Sequence, residues 1–208
     1  MIHATDIFNK WALVGKDEGM GKHHASAVKE MLSYLIKGQL SPFTFIDAGC
    51  GNGWAVREMR AHRLCQKALG VDGAEHMIRN AKSIDPEGDY VRADLFNWTP
   101  TEKVDYIHSM EVLYYFENPA DIIHHMKSNW LKPGGKMIMG VDFYKENETS
   151  HSWPTDLNTH MTLLSELEWE SIFMNNGFSN IEKFRANVKG SKPGTLVISG
   201  VFDNDEQC

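Results

Sequence analysis

The chain is poor in cysteine. Only three occur in 208 residues, at Cys50, Cys65 and Cys208, with no C-x-x-C pair. So sparse and odd a set supports neither a disulfide framework nor a zinc site. It fits a reducing, cytoplasmic setting. Long hydrophobic runs are missing too: nothing approaches the ~18 consecutive apolar residues of a membrane span. Met1-Ile2-His3-Ala4-Thr5-Asp6 has neither the basic nor the apolar region of a secretory signal. Positive charge is also short. Twenty-one Lys and Arg stand against 28 Asp and Glu, a net charge of −7, with no Lys/Arg run to follow a phosphate backbone. A nucleic-acid partner is therefore not expected. Repeats, low-complexity tracts and linker-like stretches are absent as well. What remains, 42% apolar and 24% charged, suits one globular domain able to bury a core without staples.

Short apolar runs alternate with amphipathic stretches. Strands are expected at Phe43–Ala48, Lys67–Asp72, Asp89–Ala93, Val104–His108, Lys136–Phe143, Phe178–Arg185 and Thr195–Phe202. Helices are expected at Asn52–His62 and Ala74–Lys82. A third opens at Asn118-Pro119, a capping residue followed by proline at the first helical position. Its apolar face is Ile122, Ile123, Met126 and Trp130, and Lys132-Pro133-Gly134-Gly135 stops it. Ser165 and Glu168 fit a capping box for a last helix ending at Asn176-Gly177. Such alternation predicts an α/β fold with a mostly parallel sheet. The last two strands lack a crossover helix, which makes them antiparallel neighbours joined by a turn around Lys189–Gly194. Residues 1–40, with a helix near Lys22–Lys37 (Ala25, Val28, Leu32, Leu35), and the loop 144–164 stand outside the pattern. Both are expected over the carboxyl edge of the sheet, where open α/β sheets bind ligands.

Asp47-Ala48-Gly49-Cys50-Gly51-Asn52-Gly53 is the strongest local signal. It lies where the first strand turns into a helix. Glycines admit a ligand close to the backbone there, and the helix start supplies free N–H groups. A Gly-x-Gly alone is a weak signal, because some such matches are only tight turns. The dinucleotide fingerprint would need glycine at position 54, and Trp54 stands there. The Asp47 carboxylate would repel a pyrophosphate. The loop therefore suits a phosphate-free ligand carrying a cationic group. Asp72 closes the second strand, 23 residues after Gly49, and can accept both hydroxyls of a ribose. Asp94 follows the third strand and can accept from an exocyclic amine. Each aspartate alone is equally a solvated turn residue; three in successive strand-end turns beside a glycine loop point to a nucleoside.

These segments resemble the class I S-adenosylmethionine-dependent methyltransferases. Asp47–Gly53 is similar to their first motif. Gly70-Val71-Asp72-Gly73-Ala74-Glu75-His76-Met77-Ile78 resembles the second-strand motif, Ala93-Asp94-Leu95 the third, and Leu131–Gly135 the turn before strand five. The resemblance covers roughly residues 43–202. It implies a Rossmann-like seven-stranded sheet, order 3-2-1-4-5-7-6 with strand 7 antiparallel, and S-adenosylmethionine as cofactor, released as S-adenosylhomocysteine. It further implies that Asp47 holds the methionine ammonium and that Gly49, Cys50, Gly51 and Gly53 pass beneath the amino-acid part. Asp72 and Gly73 would bind the ribose. Met77, Ala93, Asp94 and Leu95 would frame the adenine, and Ser109 and Met110 would approach the sulfonium. Residues 1–40 resemble the helical cover of small-molecule members, with Trp11 as a contact.

Methyl transfer from a sulfonium is an in-line displacement in which alignment does much of the work. A base is needed only where the acceptor loses a proton, so no fixed acid/base pair is demanded. Ser109–Tyr115 (SMEVLYY) departs from the N/D-P-P-Y/F motif of amide and nucleobase methyltransferases. It resembles the segment of quinone-biosynthesis-type enzymes, with Tyr114-Tyr115 in place of their Glu-His. A small-molecule acceptor is the expectation, with Glu111, Tyr115, Asp142, Tyr144 and His160 as candidate contacts. The alternatives are a nucleoside-binding protein without methyl transfer, an NAD-dependent oxidoreductase, and a protein or RNA methyltransferase. No metal site is expected. The doublets His23-His24 and His124-His125 diverge by ~100° on a helix and read as solvated. Cys50, near a helix N-terminus that could lower a thiol pKa, reads first as small filler in its loop.

Overall fold

Phe43–Ala48 forms β1, and all of it but half-buried Thr44 is buried. Burial on both faces marks a central strand of a parallel sheet. The parallel neighbours β2 (Cys65–Asp72) and β4 (Val104–Met110) flank it. β3 (Asp89–Arg92) lies outside β2, and β5 (Leu131–Val141) lies outside β4. β6 (Phe178–Ala186) and β7 (Thr195–Phe202) form the terminal hairpin, with β7 inserted antiparallel between β5 and β6. The resulting order is β3-β2-β1-β4-β5-β7-β6, as the family resemblance implied. This is a computed structural model describing residues 1–190 and 193–203, with the helical backbone alone at 20–22. Cys208, and Ser191 and Lys192 of the expected hairpin turn, lie outside the described residues.

Among the described residues, seven α-helices accompany the sheet. α1 (Ala4–Leu13) and α2 (Lys16–Leu35) precede it, and α3 (Trp54–Arg60), α4 (Glu75–Ile84) and α5 (Pro119–Trp130) cross over it. α6 (Trp153–Asp156) is a single turn, and α7 (Glu166–Asn175) leads into the hairpin. One face of the sheet packs under Trp130, Trp169 and Phe173 of α5 and α7. The other packs under Met31, Leu35, Val56 and Met59 of α2 and α3. The expected caps form. Asn118 Oδ1 accepts the Ala120 N–H at 3.2 Å. Ser165 Oγ accepts the Glu168 N–H, and the Glu168 carboxylate accepts the Ser165 N–H in return.

Three local expectations are corrected. Residues 1–40 hold two helices rather than one near Lys22–Lys37. Ile7, Phe8, Trp11 and Ala12 give α1 an apolar face of its own, and Ile7 and Ala12 are buried. The stretch Lys132–Gly135 does not stop a helix: α5 ends at Trp130 and β5 begins at Leu131. The register against β4 shifts across that stretch: Leu131 pairs with Val104 and Lys136 with Tyr106, so the Lys-Pro-Gly-Gly segment bulges out of the pairing between them. The loop 144–164 is partly ordered by a 3-10 turn at Glu148–Ser150 and by α6. It also pins the N-terminus: the Ile2 N–H donates to Asn158 O, and Thr159 Oγ1 donates to Ile2 O, both at 2.8 Å.

Candidate active site

The carboxyl ends of β1, β2, β3 and β4 open into a cavity of about 540 Å³, within the size range of small-molecule sites. Its floor is the glycine loop. Gly49 has φ +79°, and a Cβ there would lie 2.2 Å from Val112 Cγ2. Gly51 has φ +51°, and an added Cβ would meet nothing closer than Met77 Sδ at 4.0 Å. The first glycine therefore lets the loop pack on the segment after β4, and the second leaves an open cradle facing the cavity.

Asp72 holds this loop in place. Its Oδ2 accepts the Gly51 N–H at 2.8 Å, and its Oδ1 accepts the Ala74 N–H at 2.7 Å. Burial pushes its carboxyl up to about 6, against the two backbone N–H groups that favour ionisation. Each oxygen keeps a lone pair, enough for two ribose hydroxyls. Gly73, Met77, Ala93, Asp94 and Leu95 join Asp72 in the wall. Asp94 uses Oδ1 to cap its own turn, accepting from Phe96 N–H at 2.8 Å. Met110, Glu111 and Tyr115 line the end beyond β4. The predicted residues that share this cavity are thus Gly49, Gly51, Asp72, Gly73, Met77, Ala93, Asp94, Leu95, Met110, Glu111 and Tyr115.

Others lie elsewhere. Asp47 is buried beneath the loop, with Oδ1 2.7 Å from His108 Nδ1. Cys50 is buried in the core, where burial pushes its thiol well up, so the filler reading holds. Gly53 sits against Tyr90: an added Cβ would lie 2.3 Å from its ring. Ser109 is buried and donates to Ala48 O. Trp11 is outside the wall, edge-on to Phe8, which takes the lining position instead. Phe8 in turn meets Tyr115 edge-on at 5.5 Å, so α1 closes the cavity through aromatic contact. Tyr144 is buried; it donates to Gly194 O at 2.9 Å, and the Arg185 guanidinium lies over its ring. His160 contacts Thr162 Oγ1 at 2.9 Å. Neither of these two lines the cavity.

Beside the wall, Glu111 has the left-handed φ of +59°, uncommon for a side chain of this size. The Asp142 N–H and the Tyr114 hydroxyl both donate to its carboxylate. Burial, and then the neighbouring Asp142, push its pKa well up. His24 of α2 reaches the same point: Nδ1 lies 3.6 Å from Asp142 Oδ2. The doublet reading of His23-His24 as solvated holds for exposed His23 and fails for His24, which is half-buried. Adjacent residues diverge on a helix, so the doublet gave no chelating face. The partners of His24 come from the ends of two strands far along the chain, which local spacing does not reveal. His3, Thr5 and Phe8 of the N-terminal segment also line the cavity and carried no motif. The apolar periodicity of α1 was the available signal.

The strand order, the glycine floor and the acid at the end of β2 define a class I S-adenosylmethionine-dependent methyltransferase. The chain belongs to the methyltransferase-domain family, whose sequence model matches residues 20–183. Trans-aconitate 2-methyltransferase of Azoarcus is 29% identical over 96 residues, 46% of this chain and 38% of that protein. The Escherichia coli enzyme of that name is 25% identical over 131 residues, 63% of this chain and 47% of its own length. The chain thus spans about half or less of these curated relatives. Among solved structures, a Haloferax volcanii methyltransferase in complex with the Trm112 methyltransferase activator is 25% identical with a TM-score of 0.82. That match covers 95% of this chain and 98% of the other. The N-methyltransferase NodS of Bradyrhizobium japonicum, solved with S-adenosylhomocysteine, has a TM-score of 0.67 at 16% identity, covering 86% of each chain. S-adenosylmethionine is the methyl donor of this family, and the cavity residues suit it: a carboxylate for the ribose, apolar groups for a base and an open glycine cradle. Among the described residues no helix is long and apolar enough to cross a membrane.

Proposed function

We propose that this chain methylates a small-molecule acceptor that enters the far end of the cavity, beside Met110, Glu111 and Tyr115. The observation that carries this reading is that one cavity holds both the ribose-type acid Asp72 and the Glu111–Tyr115 end. The bound donor supplies an electrophilic methyl group on a positively charged sulfur. The protein's share is alignment. Asp72, Gly51 and Leu95 fix the nucleoside end. The α1 helix, through Phe8 on Tyr115, closes the acceptor end and excludes water. Burial pushes the Tyr115 phenol up, so it enters as a neutral hydrogen-bond donor. Asp47 supports the floor through His108.

The absence of a basic run favours a small molecule over nucleic acid, and Trp54 at the third fingerprint position disfavours a dinucleotide. Calorimetric titration with S-adenosylmethionine, S-adenosylhomocysteine and NADH tests the donor site. Micromolar binding of the first two, about −8 kcal/mol, without NADH binding is expected. NADH binding alone would overturn the reading. An acceptor screen read by S-adenosylhomocysteine release then tests turnover. It is run with and without a Trm112-type activator, because a relative is found in such a complex.

A further inference from the structure

The buried apolar residues of α2 share one face: Ala27, Val28, Met31, Leu32 and Leu35. His24 lies on that face, one turn before Val28 and two before Met31. Met31 crosses β5 near its end: a Cβ on Gly140 would lie 2.7 Å from both Met31 Sδ and Met110 Sδ. Two turns further toward the start of α2, roughly 10 Å at ~1.5 Å per residue, the face runs past the strand ends. His24 is thereby set over Asp142, the residue after β5, at 3.6 Å from Nδ1 to Oδ2. Glu111, the residue after β4, completes the group. One donor atom from each of the three lies within 4.8 Å of the others. Glu111 is also part of the cavity wall, whereas His24 and Asp142 are not among its lining residues; they stand behind Glu111, and the acceptor must reach His24 past this side chain.

We propose that His24 is the general base of the methyl transfer, with Asp142 as the residue that orients its imidazole, and that the acceptor is a hydroxyl or amine whose methylated atom bears a proton. This rests on the cavity being the donor and acceptor site. As the acceptor heteroatom bonds to the methyl carbon, the methyl–sulfur bond breaks and its electron pair stays on sulfur. The acceptor proton passes to the free imidazole nitrogen, and His24, a quarter exposed, returns it to solvent.

The neighbouring groups leave this role to His24. Glu111 already accepts from Asp142 N–H and Tyr114, and its carboxyl is held toward the protonated form. Asp142 Oδ1 is buried without a hydrogen-bond partner among the described residues, so that carboxylate is free to turn toward the ring. Three influences act on the imidazole. Burial is largest and favours the neutral form, Asp142 favours the charged form, and His23 opposes it; the outcome is below the usual histidine range. A base must be neutral before it acts. The 3.6 Å separation is longer than a hydrogen bond, as is common before substrate tightens a catalytic pair.

The test titrates the histidine resonances of the full chain by NMR, with S-adenosylhomocysteine present, and assigns His24 by its loss in His24→Gln. Titration of His24 below ~6.5 is expected, moving further down in Asp142→Asn as the favourable carboxylate charge is removed. Titration above 7, or no response to Asp142→Asn, overturns the assignment. Micromolar Mn²⁺ that selectively broadens the His24 signal also overturns it, because the three side chains would then be a cation site. With any acceptor that turns over, His24→Gln should lower kcat by about 10²–10⁴ at unchanged S-adenosylmethionine Kd. Asp142→Asn should shift the acid limb of the pH profile. Turnover within a few-fold of the parent protein overturns the proposal. Failure of the parent protein to bind S-adenosylhomocysteine would instead refute the cavity reading, which separates the two.

Discussion

Asp72 and Gly51 are bound to each other across the floor of the cavity, carboxylate Oδ2 to backbone N–H at 2.8 Å. One side chain thereby serves as both latch for the glycine loop and acceptor for the ribose. Its removal should harm both roles together. Hydrogen bonds to a charged group are worth about 1.5–3 kcal/mol each. Asp72→Ala is expected to weaken S-adenosylhomocysteine binding by at least about tenfold, and by roughly 100-fold if both ribose bonds are lost. Calorimetry measures this directly. An unchanged Kd would remove Asp72 from the site.

The same carboxyl predicts an acid limit on binding. Burial holds it at about 6, so it protonates as pH falls through 6 and loses acceptor capacity. Cofactor affinity should then decline below pH 6, by at most about tenfold per pH unit for one proton. Its contribution to stability has the opposite sign. The folded-state pKa lies above the reference value of 3.8, so the folded state binds more protons between about 4 and 6. From this group alone, stability falls as pH rises across that window. Comparing the parent protein with Asp72→Asn in Kd and Tm against pH isolates both trends. Parallel curves for the two proteins would count against the buried carboxylate.

Two glycines of almost equal φ separate backbone strain from packing. Gly49 is at +79° with Val112 Cγ2 2.2 Å from a virtual Cβ, and Gly134 is at +77° with nothing within 4 Å. Gly134→Ala should cost only the left-handed backbone penalty, about 1–2 kcal/mol. Gly49→Ala adds a clash costing about 1–3 kcal/mol more and pushes the loop away from the segment after β4. Thermal unfolding should show the larger loss for Gly49→Ala, and only that variant should weaken cofactor binding. Equal losses would refute the packing role of Gly49.

The Asp47–His108 pair is a structural prediction. Both side chains are almost fully buried, and their polar atoms meet at 2.7 Å. Truncating one partner of such a pair strands the other and costs about 3–5 kcal/mol. Asp47→Ala should therefore lower Tm by several degrees, at about 2–4 °C per kcal/mol for a chain this size. Replacing both residues together, Asp47→Asn with His108→Asn, should cost less than the sum of the two single changes, because paired groups couple. Strict additivity would show that the two do not interact.

Much was legible along the chain because its signals are local. The short apolar run Phe43–Ala48 ending in glycines announces β1, Ser165 and Glu168 announce α7 by their capping box, and the glycine loop marks the turn after β1. The weaker readings were those that depend on what a side chain meets. Asp47 looked like a ligand contact and is buried against His108. Tyr144 looked like an acceptor contact and is held by Gly194 and Arg185. Trp11 was the conspicuous aromatic of α1, but the helix turns Phe8 into the cavity.

By itself the sequence determined the α/β alternation, the hairpin end and the nucleoside-type turns after β1, β2 and β3, since each is written in residues adjacent along the chain. The tertiary structure alone decided which carboxylates face the cavity and which are buried beneath it. It alone set α1 against Tyr115 and brought His24 to Asp142 and Glu111. Helix rotation and strand-end geometry make those choices, and they join residues more than 60 positions apart, a distance over which no spacing rule applies.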